Sequence, residues 1–336
     1  MRNLNPPALR VSVVVPTFQR PGLLLRCLCA LGAQTLAKER FEVLVIDDER
    51  SDETRALVER EMARYPSGFL RYLRPAQGKK GPAAARNRGW RAARAEVVAF
   101  TDDDTLAEPD WLEQGLRAMR EHGWPAMAGR VVVPLPAKRR GAAPTDHELM
   151  TQGLQAGEFV TANAFVRLSA LWEVKGFDER FTRAWREDTD LQFRLEEAGA
   201  APGRCEAAVV LHPVRPERWG VSLRQQKNVY FDALLYRKHP ARYRSRVRPK
   251  PPWDYYAVVG LGALAPVFLA AGVAWIALAC AGLGLALVLR IAARRLHGTS
   301  HAPAHVVEML LTSLSIPFLS VYWRLRGAWH FRTRFL

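Results

Sequence analysis

Short apolar runs alternate with amphipathic stretches through the first 120 residues of the chain. The apolar runs predict strands, because each is short and ends at a turn or a polar residue, and Val11–Val15 is made largely of β-branched residues. The stretches between them have helical spacing, with Asp52 as the predicted N-cap of the second helix. This alternation predicts an α/β domain with a parallel sheet covered by helices on both faces. The predicted strands are Val11–Val15, Phe41–Ile46, Leu70–Leu73 and Glu96–Thr101, and the predicted helices are Leu23–Leu36, Asp52–Tyr65, Gly81–Arg94 and Trp111–Glu121.

The second half of the chain contains an uncharged apolar stretch of 35 residues, Tyr255–Leu289. One helix of that length would measure about 50 Å, whereas the hydrocarbon core of a bilayer is about 30 Å thick. We therefore expect two membrane-spanning helices folded as a hairpin, with a turn near Ala271 and Gly272. Basic residues flank both ends, which favours the cytoplasm for both. A buried helix pair in a soluble protein is the alternative.

A third apolar stretch, Ala304–Trp323, is interrupted by Glu308 and Pro317 and is followed by arginines without acidic residues. If it spanned the membrane, that basic tail would lie outside. We therefore predict a helix that lies in the membrane interface or re-enters it from the cytoplasmic side. The predicted organisation is an α/β domain over residues 1–240, then a basic linker, the hairpin at about 255–289 and the interfacial helix at about 304–323.

The formal net charge of +16 implies an anionic partner. Most of the excess lies in Arg215–Lys250 and after Arg290, next to the apolar stretches, so we expect anionic membrane lipids rather than nucleic acid. The four cysteines form no C-x-x-C pair, which favours reduced thiols in a cytosolic compartment. Met1–Arg10 has no apolar signal-peptide core. We expect the bacterial inner membrane, with the α/β domain facing the cytoplasm.

Acidic residues follow two of the predicted strands, where ligands bind in open α/β sheets. Asp102-Asp103-Asp104 follows the fourth strand, and Asp102 and Asp104 have the alternate spacing that would let both face one metal–diphosphate. Asp103 with Asp104 is the other possible pair, and a solvated acidic turn is the alternative without function. Asp47-Asp48 follows the second strand, where a carboxylate could accept from a nucleobase or a ribose hydroxyl.

Four further residues are candidates for chemistry. Arg86 lies in a segment of small residues, Gly81–Gly89, at a helix start, which suits phosphate. Glu187 and Asp188 precede a predicted helix; either could be a general base, and Asp188 or Thr189 could cap the helix. His212 follows a predicted strand, Ala207–Leu211, and could be a third metal ligand or a structural histidine.

Together these segments resemble the family 2 glycosyltransferases of the GT-A fold, a Rossmann-like domain that binds nucleotide-diphospho-sugars. The resemblance covers roughly Val11 to Pro240, and the close of the chain, Tyr322–Arg332, also looks like membrane-attached members. The matching segments are Val11–Arg20, Val43–Asp52 (VLVIDDERSD), Gly81–Gly89 with A-R-N-x-G, Phe100–Leu112 with F-x-D-x-D-x-x-x-x-P-x-W-L, Gly176–Glu179 with G-F-D-E, and Glu187–Arg194 with E-D-x-D-L-x-x-R.

The resemblance implies an inverting, metal-dependent transfer of a sugar to an acceptor hydroxyl. It implies Mn²⁺ or Mg²⁺ as the cofactor, a UDP-sugar as the commonest donor, and Asp188 as the base with Glu187 beside it. From the membrane segments we expect a lipid-linked or envelope glycan acceptor. The resemblance implies metal ligation by Asp102, Asp104 and His212, and donor binding by Pro16, Thr17, Arg20, Asp47, Asp48, Arg86 and Asp103.

The chain departs from processive members of that family, because Arg218–Tyr230 lacks their Q-x-x-R-W motif. We therefore expect transfer of a single sugar. A sugar-phosphate nucleotidyltransferase is one alternative, but it would carry a glycine-rich loop after the first strand, and Pro16–Gly22 is poor in glycine. An inactive membrane protein of the same fold is the other.

Overall fold

The computed structural model describes residues 9–135 and 142–336. The chain divides into two compact units. The first, here the sheet unit, comprises the residues up to Pro134 and Gln152–Val214; the second, the helical unit, comprises Leu135–Thr151 and Arg215–Leu336. The sequence places the boundary at residue 240, later than the division at residue 215. The segment from 215 to 240 belongs to the helical unit because it packs on the last helix of the chain. The sequence predicts no signal peptide in Met1–Arg10, and residues 1–8 of this segment lie outside the described residues.

The sheet unit is built on one eight-stranded sheet in the order β3-β2-β1-β4-β7-β6-β8-β5. Strands β1 to β4 are mutually parallel, as predicted, whereas β7 runs antiparallel to both of its neighbours. The parallel pairing predicted for the first four strands is confirmed, and the sheet as a whole is mixed, because the four-residue strand β7 is too short to be detected from its sequence. The strands are β1 Val11–Thr17, β2 Phe41–Asp47, β3 Leu70–Leu73, β4 Val97–Phe100, β5 Leu106–Ala107, β6 Ala126–Val132, β7 Ala164–Arg167 and β8 Gly203–Leu211.

Helices cover both faces of this sheet, as the alternation of strands and helices predicts. Alternate residues of β1 enter different cores: Val13 packs on the side of α1, α2 and α4, and Val14 on the side of α3, α6 and α7. Gly89 permits the close approach of α3, because a Cβ there would lie 2.4 Å from Val14. The helices are α1 Pro21–Gly32, α2 Asp52–Met62, α3 Pro82–Arg91, α4 Trp111–His122, α6 Leu168–Glu173 and α7 Glu187–Glu197.

The N-cap of α2 is Ser51, not Asp52, because the Ser51 side chain accepts a hydrogen bond from the Thr54 amide at 3.3 Å. Asp52 is instead the first helical residue, where its charge favours the positive end of the helix dipole. Register in the sheet brings Thr17 level with Asp47, and Val14 level with Phe100. The loops that follow β1, β2 and β4 therefore emerge at one edge of the sheet.

The helical unit contains three helices that are long and apolar enough to cross a membrane: α11 Trp253–Ala270, α12 Ala274–Leu296 and α13 Pro303–His330. Helices α11 and α12 form a hairpin whose turn lies at the predicted position, where Gly272 adopts φ +76°. The other helices are α5 Asp146–Gln152, α8 Val221–Gln225, α9 Val229–Lys238 and α10 Pro240–Arg246. Helix α5 belongs to this unit except for its last residue, Gln152, which belongs to the sheet unit.

Helix α13 has 28 residues, continues through Pro317 and is longer than the predicted stretch. Other segments of the helical unit contact α13 near both of its ends. Near its start, Glu308 accepts a hydrogen bond from the Gly220 amide at 2.7 Å. Near its end, Gly327 lies so close to Tyr230 that an added Cβ would be 2.6 Å from the Tyr230 carbonyl oxygen. One side of α13 thus packs on the short helices α8 and α9.

Candidate active site

The acidic turn after β4 separates its three carboxylates into two groups. Thr105 Oγ1 donates to the Asp102 carbonyl at 2.7 Å and shares a 2.7 Å hydrogen bond with Thr101 Oγ1, which fixes a tight turn. Asp102 and Asp104 approach His212, whereas Asp103 faces the end of β1. The alternate spacing thus places Asp102 and Asp104 beside one another and beside His212.

Asp102, Asp104 and His212 form a candidate cation site, because one donor atom from each lies within 4.8 Å of the others. His212 Nε2 is 3.5 Å from Asp104 Oδ1, and the backbone amide of His212 donates to Val132 at 2.8 Å, which fixes the residue after β8. His212 Nδ1 is buried and has no hydrogen-bond partner in the described part of the chain. Two carboxylates and an imidazole are a donor set that fits a divalent cation such as Mn²⁺.

Asp103 joins the acidic turn to the loop after β1. Thr17 Oγ1 donates to Asp103 Oδ2 at 2.7 Å, and Arg20 Nη1 lies 3.1 Å from Oδ1. Arg20 also lies 3.7 Å from Asp104 Oδ2 and keeps about a third of its side chain exposed. Burial raises the pKa of Asp103 to about 6, against the attraction of Arg20. Thr17, Arg20 and Asp103 thus form a connected polar group next to the cation site.

Asp47 and Asp48 both hold loops at this edge of the sheet. Asp47 is fully buried; its carboxylate accepts from the amides of Glu49 at 3.1 Å and Ser51 at 2.7 Å, and from the Tyr72 hydroxyl at 2.7 Å. Asp48 accepts from the Gly81 amide at 2.8 Å. Both carboxylates therefore hold neighbouring loops in place. The sequence predicts contacts of these residues with the donor and does not predict these hydrogen bonds.

Pro16 lies within β1, opposite Ile46, and forms no described side-chain contact with the acidic turn. Its place among the predicted donor residues rests on the resemblance of Val11–Arg20 to the donor loop of the family.

Arg86 bridges the acidic turn and the start of α7. Its side chain is 4% exposed, its Nη2 donates to Asp102 Oδ1 at 2.7 Å, and its Nη1 donates to Glu187 Oε1 at 3.0 Å. Burial opposes the charge of the guanidinium, but the charges of Asp102 and Glu187 outweigh burial and raise its pKa. The same neighbours act on Asp102, where Arg86 and His212 outweigh burial and lower the pKa. Arg86 therefore connects the candidate cation ligand Asp102 to Glu187, the residue before Asp188.

Glu187 and Asp188 begin α7, directly after Arg186, which adopts a left-handed φ of 74°. Burial, reinforced by the charge of Asp188 and opposed by Arg86, raises the pKa of Glu187 to about 7. Its Oε2 is buried without a hydrogen-bond partner among the described residues. Burial also raises the pKa of Asp188, whose Oδ1 accepts from the Thr189 amide at 2.7 Å. Asp188 does not cap the helix, since the N-cap is Arg186.

Sequence reasoning missed the part played by Asn87. Its Nδ2 donates to the Phe177 carbonyl at 2.9 Å and to Glu179 at 3.0 Å, while its Oδ1 accepts from the Phe177 amide at 2.8 Å. Gly176, with φ +65°, lets this segment approach α3. Asn87 lies in the A-R-N-x-G segment and its partners lie in the G-F-D-E segment. The sequence marks both segments as motifs but gives no sign that they contact each other. Asn87 thereby fixes α3, and with it Arg86.

Two family profiles match the amino-acid sequence of this chain. Residues 12–174 match "Glycosyl transferase family 2", and residues 97–323, more than half of the chain, match "Glycosyl transferase family group 2". The chain belongs to the family 2 glycosyltransferases. The second match extends through the hairpin and most of α13, so the helical region is part of what this family 2 protein shares with its relatives.

Three curated relatives carry specific names. Validoxylamine A glucosyltransferase of Streptomyces hygroscopicus subsp. limoneus is 32% identical over 247 residues, covering 63% of this chain and 51% of the relative. Glycosyltransferase AglE of Haloferax volcanii is 27% identical over 223 residues, covering 65% and 71%. Pre-mycofactocin glycosyltransferase of Mycobacterium tuberculosis is 30% identical over 226 residues, covering 62% and 43%. The chain spans about half the length of the first of these relatives.

A solved structure supports the fold over nearly the whole chain. The mannosyltransferase PcManGT from Pyrobaculum calidifontis, in complex with GDP-Man and Mn²⁺, has a TM-score of 0.56 at 18% identity, covering 96% of this chain and 88% of that protein. The family 2 protein described here therefore has a GT-A domain followed by a C-terminal helical region, as the sequence predicted.

Proposed function

We propose that this protein transfers a single sugar from a nucleotide-diphospho-sugar to an acceptor hydroxyl, with inversion and with a divalent cation. One observation carries the proposal. The candidate cation ligand Asp102 is joined to Glu187, the buried neighbour of Asp188, through a single buried side chain, Arg86. Departure of a diphosphate and deprotonation of an acceptor are the two requirements of a one-step displacement, and both sets of residues lie in one unit of the protein.

Asp188 is the proposed base. As the acceptor oxygen bonds to the anomeric carbon, Asp188 takes the hydroxyl proton, and the bond from the anomeric carbon to the diphosphate oxygen breaks to release the nucleoside diphosphate. The raised pKa of Asp188 increases its affinity for that proton. Glu187 lies beside it and is held in place by Arg86.

Asp102, Asp104 and His212 would hold Mn²⁺ or Mg²⁺ on the donor side. A cation bound there supplies charge neutralisation for the leaving diphosphate. Thr17, Arg20 and Asp103 fix the neighbouring loop, and Arg20 retains exposed N–H groups that suit phosphate. We propose a UDP-sugar as the donor; because the Pyrobaculum structure holds GDP-Man, both nucleotides belong in the first binding test.

We further propose that the helical unit attaches the protein to the cytoplasmic face of a bacterial inner membrane rich in anionic lipid, and that the acceptor is a lipid-linked or envelope glycan. Apolar side chains along the hairpin are exposed, with Leu278 at 74% and Trp275 at 72%. Polar contacts along α13 favour a helix in the membrane interface. Arg295, at the charged end of α12, donates hydrogen bonds to Thr312 and Ser313 in the first half of α13.

Replacement of Asp188 by asparagine tests the base. We expect Asp188→Asn to abolish sugar transfer while nucleotide binding persists, because the amide keeps the shape of the side chain but cannot take a proton. The measurement is the release of nucleoside diphosphate with donor and acceptor, with exposed Glu121→Gln as the control. Transfer at a near wild-type rate would contradict the base assignment, and release of pyrophosphate instead would favour a nucleotidyltransferase.

Replacement of Asp104 by alanine tests the cation site. We expect the variant to lose the Mn²⁺-dependent part of the thermal stabilisation by UDP or GDP, since ligand binding raises apparent stability. Without Mn²⁺, the variant and the wild type should respond to nucleotide alike. An unchanged Mn²⁺ titration in Asp104→Ala would show that the cation is held elsewhere.

A further inference from the structure

Two arginines neutralise the acidic turn after β4, and the structure holds them very differently. Asp102, Asp103 and Asp104 are consecutive, so their charges repel one another unless positive groups lie beside them. Arg86 donates to Asp102 at 2.7 Å, and Arg20 lies 3.1 Å from Asp103. The Arg86 side chain is 4% exposed, whereas that of Arg20 is 36% exposed. Of the two, Arg20 is therefore the arginine that a ligand from solvent can reach.

Arg20 lies against one of the candidate cation ligands. The two carboxylate oxygens of Asp104 face different neighbours, since Oδ1 is 3.5 Å from His212 Nε2 and Oδ2 is 3.7 Å from Arg20 Nη1. Asp104 and His212 belong to the candidate cation site together with Asp102. A divalent cation held by these residues would have the same sign of charge as the guanidinium. Arg20 and the cation therefore compete for the charge of Asp104.

The backbone of Arg20 is fixed, whereas its side chain is held by few contacts. Arg20 is the N-cap of α1, and its carbonyl oxygen accepts from the amides of Leu23 at 3.1 Å and Leu24 at 3.0 Å. Among the described residues, its guanidinium has one partner at hydrogen-bond distance, Asp103 at 3.1 Å. Asp103 also accepts from Thr17 at 2.7 Å, so it keeps a donor when the guanidinium leaves. The side chain can therefore change its partner without any movement of α1.

We propose that Arg20 is an exchangeable counter-ion. It neutralises Asp103 and Asp104 in the free protein, and it donates to the diphosphate of the nucleotide when a divalent cation is bound. A guanidinium suits both partners, because carboxylate and phosphate each accept two parallel N–H bonds. The exchange couples the two ligands, since Arg20 leaves the cation site as it binds the nucleotide, and each ligand then strengthens the other by the same factor. This inference rests on the proposed function, which supplies the cation and the nucleotide.

The test measures the two ligands separately on the full chain in detergent at pH 8, above the pKa of about 6 of Asp103. Electron paramagnetic resonance reports Mn²⁺ binding without nucleotide, and calorimetry reports the binding of UDP and of GDP with Mn²⁺ present. Arg20→Met should bind Mn²⁺ about ten-fold more tightly than the wild type, because a competing charge is gone. It should bind the nucleotide about ten-fold more weakly, because a charge-assisted hydrogen bond is lost. The two affinities thus change in opposite directions.

Arg26→Met is the matched control, because it removes an exposed arginine from the same helix, α1. It should leave both affinities near those of the wild type. Arg20→Lys keeps the charge but lacks the planar fork of arginine. It should therefore bind Mn²⁺ as the wild type does and bind the nucleotide more weakly, and it covers the case in which Arg20→Met does not fold.

Three results would overturn the proposal and leave the proposed sugar transfer standing. An unchanged Mn²⁺ affinity in Arg20→Met would mean that Arg20 does not compete with the cation. A lower Mn²⁺ affinity in that variant would mean that Arg20 supports the cation ligands. An equal rise in Arg26→Met would mean a general effect of net charge. Failure of the wild type to bind Mn²⁺, in contrast, would overturn the candidate cation site and this inference together.

Discussion

Replacing Glu187 by glutamine should stabilise the protein in alkaline solution and leave it unchanged in acid. Glu187 is 3% exposed, and its pKa is about 7 in the folded protein against 4.5 for an ordinary glutamate. Between these values the folded protein keeps a proton that the unfolded chain has released, so the free energy of unfolding falls as the pH rises. Above the folded pKa the loss is constant.

The size of the effect follows from the same two values. A pKa raised from 4.5 to about 7 corresponds to a free-energy cost of about 3 kcal/mol for the ionised side chain. Glutamine never ionises, has nearly the same shape, and keeps an oxygen that can accept from Arg86. The variant should therefore avoid most of this cost, which amounts to several degrees in unfolding temperature.

The assay is the unfolding temperature of the full chain in detergent from pH 5 to pH 9, for the wild type, Glu187→Gln and the exposed control Glu121→Gln. The advantage of Glu187→Gln should be small at pH 5, which is just above the ordinary pKa of 4.5, grow until about pH 7 and level off above it, while the control stays parallel to the wild type. A difference that does not change with pH, or a less stable variant at pH 8, would refute the reasoning. It would mean that the ion pair with Arg86 outweighs the burial of Glu187.

Two further predictions concern packing and attachment. Gly89→Ala should lower the free energy of unfolding by about 1–3 kcal/mol in chemical denaturation, because its Cβ would lie 2.4 Å from Val14, while Gly22→Ala, with nothing within 4 Å, should have no such effect. A chain truncated after Lys250 should float with liposomes less than the full chain; equal flotation would show that the apolar helices are not the main anchor.

The sequence predicts best those features that arise from local pattern. The first four strands are detected because their short runs end at turns or polar residues, and Leu70–Leu73 agrees at both ends. The hairpin is detected because its uncharged stretch of 35 residues is longer than one membrane crossing needs. Strand β7 and the antiparallel pairings that it makes escape detection, since four residues contain too little periodicity.

Side-chain direction at the site depends on contacts between distant parts of the chain. Grouping Asp102 with Asp104 follows from their spacing, but the pairing of Arg86 with Glu187 joins residues 101 positions apart and has no local signal. Asp47 illustrates the same limit, because its buried carboxylate is committed to the following loop and to Tyr72. A motif therefore located these residues, whereas their partners required the fold.

The turn between α11 and α12 bears on how the protein reaches the bilayer. Residues 271–273 carry no charge, and their three amides already donate to carbonyls of α11. A peptide group without such a bond is costly in hydrocarbon. In the membrane-crossing arrangement that we propose, this tip presents little that resists passage through the lipid, and the hairpin is suited to entering as one piece from the side on which the chain is made. Its far end would then be held by the fit of its apolar length rather than by any polar anchor beyond the membrane.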